Sequence, residues 1–133
     1  MQRLKSLATY VAFLLAGLAI GWSILNLPAL FKSNSIQGDY SAYYTGTSAQ
    51  VVMYSTSTCP YCAKAREFFA ARNIAYVEKD IQADPTALQQ LKQLGATGVP
   101  QILIGDRRVP GFAPKAMEEA LARLKSTGGS LKH

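Results

Sequence analysis

The sequence predicts an α/β domain, a four-stranded mixed sheet with three helices, preceded by one N-terminal transmembrane helix. Three observations carry that prediction. No charged residue occurs from Ser6 through Phe31. From Gln50 onward, short apolar and β-branched runs alternate with stretches of helical periodicity. The only two cysteines, Cys59 and Cys62, fall where the first such strand meets the first such helix.

The uncharged run comes first. It is dominated by Leu, Ala, Ile, Val and Phe, and at about 1.5 Å per residue it spans the roughly 30 Å hydrocarbon core of a bilayer with residues to spare. A cleaved signal peptide is the competing reading, with a core helix of the soluble domain as a third. A signal's apolar core runs roughly 7–15 residues and ends in small residues. This run is longer, and Leu27-Pro28-Ala29-Leu30-Phe31 makes a poor cleavage site. Arg3, Lys5 and the terminal amine flank one end, and Lys32, followed by Asp39, the other. The positive-inside rule therefore places residues 1–5 in the cytoplasm, residues 6–31 as the membrane anchor and the domain on the extracytoplasmic side, the periplasm in a bacterium. Residues 32–49, rich in Ser, Gly, Thr and Tyr, read as a flexible tether to a domain spanning 50–133. Tyr40, Tyr43 and Tyr44 suit either a membrane interface or packing on the domain.

The formal charge of +6 raises nucleic acid as a partner. The basic residues, however, are spread singly and interleaved with acids, as in Lys64, Arg66, Glu67 and Lys79, Asp80, and no basic stripe with aromatic interleaving occurs. No nucleic-acid role is expected. Arg107-Arg108 is the one local cluster that suits an anionic partner.

Within the domain, Gln50 to Tyr54 reads as a buried strand and Ala63 to Arg72 as a helix. A strand feeding a C-x-x-C at the head of a helix is the thioredoxin-like arrangement. Ile74 to Glu78 reads as the second strand. Asp84-Pro85 opens the second helix with a capping side chain and a proline at the first position, and Gly95 closes it. Gln101 to Ile104 is the third strand, Gly105-Asp106 a tight turn, and Arg107 to Val109 its antiparallel partner. Met117, Ala120, Leu121 and Leu124 keep the spacing of a last helix packed on the core.

Cys59-Pro60-Tyr61-Cys62 has the spacing at which two thiols close into a reversible disulfide. A disulfide-exchange enzyme needs one exposed thiolate and one thiol held back. Cys59, at the N-terminal end of the helix, has unpaired N–H groups and the positive end of the helix dipole to stabilise an anion. Cys62 falls on the core side with Ala65 and Phe69 and reaches the first sulfur. The other roles for the pair are a structural disulfide, which across so short a loop removes little unfolded-state entropy, and metal binding. Zinc needs four ligands, and the only histidine is His133, so no single-chain metal site is expected. An iron–sulfur or copper carrier built by two chains, or with glutathione, stays open. Val99-Pro100, just ahead of a strand, needs a special backbone geometry.

Cys59-Pro60-Tyr61-Cys62 resembles the dithiol glutaredoxin active-site tetrapeptide, and Thr97-Gly98-Val99-Pro100-Gln101 is similar to that family's cis-proline loop. The resemblance runs from about Gln50 to Leu124. It implies a thioredoxin-like (glutaredoxin) fold and a thiol–disulfide oxidoreductase, with Cys59 attacking and Cys62 resolving. It also implies that Pro60 and Tyr61 border a glutathione site, that Thr97, Val99 and Pro100 line the cleft, and that the Val99 backbone pairs with an extended substrate. Thr56 stands where glutaredoxins usually carry a lysine for a glutathione carboxylate. Their Gly-Gly pair and following acids are reduced here to Gly111, within Val109-Pro110-Gly111-Phe112-Ala113-Pro114. The pattern Gly111-Phe112-x-Pro114-x-x-Met117 looks closer to the glutaredoxin-like redoxins that serve ribonucleotide reductase and take electrons from thioredoxin reductase, and it assigns Gly111 and Phe112 to the cleft.

The expected partners are a disulfide-bonded protein or a glutathione mixed disulfide, and a reductant, either glutathione or a thioredoxin-reductase-like enzyme. No tightly bound cofactor is expected, and glutathione enters as a co-substrate. The same chemistry run as an oxidant or isomerase of exported proteins is the enzymatic alternative.

Overall fold

The computed structural model describes residues 2–25 and 34–128. The expectations placed on residues 26–33, including the end of the anchor and Lys32, and on His133 lie outside the described residues. The chain divides into two compact units, Met1–Lys32 and Ser33–His133.

The described residues of the first unit form one helix, α1 (Gln2–Leu25). Its Ser6–Ser23 stretch is long and apolar enough to cross a membrane by length and composition, and none of it is buried inside the protein. The Ser23 hydroxyl bonds back to the Ala19 carbonyl at 3.0 Å, so that polar group is satisfied within the helix.

The second unit runs β1 (Ile36–Gln37), a 3₁₀ turn at Ser41–Tyr44, β2 (Val51–Ser55), α2 (Pro60–Ala71), β3 (Val77–Asp80), α3 (Pro85–Gln93), β4 (Gln101–Ile104), β5 (Arg107–Pro110) and α4 (Pro114–Gly128). The strand order is β1-β5-β4-β2-β3. β2 and β3 are parallel, as a connection through a helix requires, and the remaining pairs are antiparallel. Every residue of β2 is buried, the mark of a central strand covered on both faces. Period-two alternation divides the core. Val51 and Met53 join Phe69, Ile102, Ile104 and Met117 on the α2/α4 face, while Val52 and Tyr54 join Ala87, Leu91 and Leu103 on the α3 face.

Local chemistry sets the helix ends. Asp84 caps α3 by accepting the Thr86 N–H at 2.8 Å, with Pro85 next. Asn73, at φ 51°, ends the α2 segment, and the Ile74 N–H turns back to the Phe69 carbonyl at 3.0 Å. This is why the second strand of the domain begins at Val77 rather than Ile74. Ile74 and Tyr76 pack on the core from the connection.

Two expectations need correction. The sheet has five strands, not four, and part of residues 32–49 is built into the domain rather than serving as a flexible tether. Ile36 and Gln37 pair with Arg108 and Arg107, and Gly38 N–H donates to the Asp106 carbonyl at 3.0 Å. Tyr40, Tyr43 and Tyr44 then pack on the α3-face core, and the Tyr44 hydroxyl donates to the Gly105 carbonyl at 3.0 Å. The physical reason is an otherwise bare edge of β5 and a flank of the α3-face core that the tyrosines cover. Of their two suggested placements, the described tyrosines take the one on the domain.

Candidate active site

Cys59 is the N-cap residue of α2, with extended backbone angles, and its sulfur takes the place a Ser or Asp oxygen would hold, accepting the Cys62 N–H at 3.2 Å. Pro60 occupies the first helical position, where its missing N–H costs nothing. Ala63 N–H reaches the Cys59 carbonyl at 3.2 Å and starts the helical ladder. The Cys59 thiol is half-buried and donates to the Val99 carbonyl at 3.8 Å. Both sulfurs are free thiols.

Cys62, three residues on, is fully buried. Burial, and then the neighbouring Cys59 side chain, push its pKa up to about 11, against the Thr56 amide and the Arg66 charge, which favour the thiolate. The two thiols are therefore unequal by position: one is reachable at a helix terminus, the other withheld behind it.

The Val99–Pro100 bond is cis, and Pro100 is fully buried. Gly111, at φ 74°, lets its N–H turn to the Pro100 carbonyl at 2.8 Å, which ties the loop after β5 to the proline. Gln101 closes the loop from the other side, its Nε2 donating to the Gly98 carbonyl at 3.0 Å. Cys59, Val99, Pro100 and Gly111 are thus brought together by bonds among three segments distant in sequence. Tyr61 lies 57% exposed beside the sulfurs, with the Lys64 ammonium 5.2 Å from its ring centroid. Thr97 is exposed on the loop ahead of Val99. Phe112 turns its ring edge-to-face against Phe68 at 6.3 Å and packs on the α2/α4 core.

Arg107-Arg108 does not belong to this surface. Arg107 pairs with Ile104, whereas the cleft end of the hairpin is Pro110 opposite Gln101. The Arg108 guanidinium donates to the Leu94 carbonyl and so caps the C-terminus of α3.

A group that sequence reasoning missed lies on α2 one turn after Cys62 and on β3. Arg66 meets the Glu78 carboxylate with Nε at 3.0 and 3.2 Å and Nη2 at 2.6 Å, and Nη2 also reaches the Thr56 carbonyl at 3.4 Å. The fully buried Ser55 donates its hydroxyl to the same carboxylate. The guanidinium and the Ser55 hydroxyl hold Glu78 below the usual carboxylate range. Arg66 follows Cys62 by four residues, a spacing that places them on one helix face. Among the described residues no group of three or more His, Cys, Asp or Glu side chains converges on a metal-binding point.

The Glutaredoxin family model matches residues 51–109. A glutaredoxin from Neisseria meningitidis serogroup B is 37% identical over 81 residues, which cover 59% of this chain and 88% of the relative. Among solved structures, the thioredoxin-like protein BC3987 (T8A mutant) superposes with a TM-score of 0.53 at 27% identity, over 55% of this chain and 95% of that one. The glutaredoxin (grx-1) from Archaeoglobus fulgidus gives a TM-score of 0.52 at 26% identity, over 63% and 97%. The residues matched by the family model begin with β2, so α1 and β1 lie outside the matched region.

Proposed function

The chain belongs to the glutaredoxin family, and from that premise we propose that it is a thiol–disulfide oxidoreductase working through the Cys59–Cys62 dithiol. The observation that supports this reading most is the Cys59 sulfur at the head of α2, 3.2 Å from the Cys62 N–H and 3.8 Å from the Val99 carbonyl beside the cis-proline.

In the reducing direction, the Cys59 thiolate attacks one sulfur of a substrate disulfide. A Cys59–substrate bond forms, the substrate's own S–S bond breaks, and its other sulfur leaves as a thiolate that takes up a proton. Cys62 then gives up its proton, attacks Cys59, and expels the second substrate sulfur. The product is the Cys59–Cys62 disulfide and two substrate thiols. The α2 N-terminus supplies fixed N–H donors for the negative charge on Cys59 before it attacks. Val99 offers its backbone to an extended segment of the substrate, while Pro60, Tyr61 and Gly111 shape the wall of the cleft.

The substrate class is a disulfide-bonded protein or a glutathione mixed disulfide, with glutathione or a thioredoxin-reductase-like enzyme as reductant and no tightly bound cofactor. We place α1 across a membrane with the N-terminus cytoplasmic and the domain extracytoplasmic, on the strength of the apolar Ser6–Ser23 stretch and the flanking Arg3 and Lys5.

The deciding measurement is the reduction potential of the couple, by equilibration in glutathione buffers, together with turnover of a glutathione mixed disulfide. A potential near about −200 mV or below with turnover supports the reductase, and one near about −120 mV makes the protein an oxidant of exported proteins instead. Absence of any Cys59–Cys62 disulfide across the buffer series would remove the redox reading.

A further inference from the structure

The Arg66–Glu78 pair is too elaborate for what it contributes as an ion pair. Its side chains are 33% and 30% exposed, a setting in which such a pair is worth about 0–1 kcal/mol. Yet the guanidinium is fixed by four contacts, three to Glu78 and one to the Thr56 carbonyl, and Glu78 is anchored in turn by the buried Ser55. The charge of this fixed cation favours the Cys62 thiolate. Arg66 lies one helical turn beyond it on α2, and both meet the same peptide segment. Arg66 takes the Thr56 carbonyl, the Thr56 amide bears on the Cys62 sulfur, and the Cys59 N–H reaches the Thr56 carbonyl at 3.5 Å.

We propose that Arg66 is a positioning residue for the resolving step, its guanidinium held by Glu78 and Thr56 so that it stabilises the Cys62 thiolate as that thiolate forms. This rests on the dithiol reading above. In the resting dithiol the Cys59 sulfur opposes ionisation of Cys62. In the mixed disulfide Cys59 is bonded to substrate and carries no charge. Of the groups acting on Cys62, the Thr56 amide and the Arg66 cation then remain. Glu78 on β3 is spent on Arg66, Lys64 of α2 lies over Tyr61, and Glu118 of α4 is paired with Arg72. Cys62 releases its proton to solvent, its sulfur bonds to Cys59, and the Cys59–substrate bond breaks with its electron pair leaving on the substrate sulfur. Arg66 exchanges no atom or electron in this step.

The size of the effect can be reasoned. If loss of the cation raises the Cys62 pKa by about one unit, the thiolate fraction at neutral pH falls about tenfold, while a Brønsted slope of about 0.4–0.5 returns about threefold in intrinsic nucleophilicity. Resolution should slow about threefold, and its pH midpoint should move up about one unit.

The test uses the full-length chain in detergent and a nitrobenzoate disulfide, whose released thiolate is coloured. The first equivalent released reports attack by Cys59, and the second reports resolution by Cys62. Both phases are followed from neutral to alkaline pH for the wild type, Arg66→Gln and Arg66→Lys. Arg66→Gln is expected to shift the second phase as above with the first phase little changed, which also shows that the variant is folded, and Arg66→Lys to keep the wild-type profile. Superimposable second-phase profiles for Arg66→Gln and wild type would overturn the inference. So would an Arg66→Lys profile shifted as far as that of Arg66→Gln, since the role would then lie in shape rather than charge. A wild-type chain that releases one equivalent and never the second overturns the dithiol reading itself, and this inference with it.

Discussion

The Cys62 backbone N–H donates to the Cys59 sulfur at 3.2 Å, so Cys59 caps α2 through the very atom that lies next to the second cysteine of the pair. One hydrogen bond joins the two cysteines. The two sulfurs differ in setting, since the Cys59 sulfur meets both this amide and the cleft at Val99, whereas Cys62 is fully buried.

The single-cysteine variants should therefore fail differently. Cys59→Ser is expected to lose exchange down to background, because no other thiol of the chain is exposed at the cleft. Cys62→Ser should still attack and then stop, accumulating a mixed disulfide on Cys59 that intact-mass measurement detects as one adduct per chain. Adduct formation in Cys59→Ser equal to that in Cys62→Ser would reverse the assignment of the two roles.

Cys62 also makes a prediction about alkaline stability. Its folded-state pKa is raised, by burial first, from an ordinary value near 9.0 up to about 11. The native state thus holds this proton more tightly than the unfolded chain, and the contribution is fully present below pH 9, declines as pH climbs, and is gone above about 11. Two units correspond to roughly 2–3 kcal/mol. Urea unfolding of the reduced protein should show stability falling through this window. Cys62→Ala should be less stable near neutrality but flatter across it, and parallel curves for the two proteins would contradict the prediction.

The parts of this molecule legible in the sequence were those fixed by neighbours along the chain. Cys59 at a helix start, Asp84-Pro85 as a cap, the Gly105-Asp106 hairpin and the core stripe of α4 are each written within a few residues. Pairings between distant segments were not. Ile36-Gln37 is too short to alternate, and only the bare edge of β5 gives it a strand's conformation. Glu78 meets Arg66 because β3 and α2 share a sheet face, which depends on where β3 begins, and that start lies three residues later than its apolar run suggests. The contacts of Phe112 and Arg108 were hidden for the same reason, one ring finding Phe68 and one guanidinium finding Leu94 through packing alone. One signal was present and unused: Tyr40, Tyr43 and Tyr44 have the i, i+3, i+4 spacing of a buried helical face.

Glu78 predicts the behaviour in acid. Arg66 holds its carboxyl below the ordinary range, with Ser55 assisting, so the unfolded chain takes up the proton first as pH falls. The stabilisation is present above the unfolded-state value of about 4.3 and is lost as pH drops through the lower folded-state value. Glu78→Gln should be destabilised at neutral pH relative to wild type, and the gap should close toward low pH. A gap that stays constant into acid would assign the loss to shape rather than charge.

Residues 34–49, which carry β1 and the three tyrosines, lie outside the region shared with the glutaredoxin family model, and their energetic role can be measured directly. Three tyrosines, each partly buried against the α3-face core, together with the β1 pairing, should contribute on the order of 3 kcal/mol or more to the domain. A chain beginning at Gln50 should accordingly unfold at lower urea than one beginning at Asn34. The point substitution Tyr44→Phe removes only the bond to the Gly105 carbonyl and should cost about 1 kcal/mol. Equal urea midpoints for the two truncations would show that residues 34–49 lie on the domain without stabilising it, and would return them to the role of a tether.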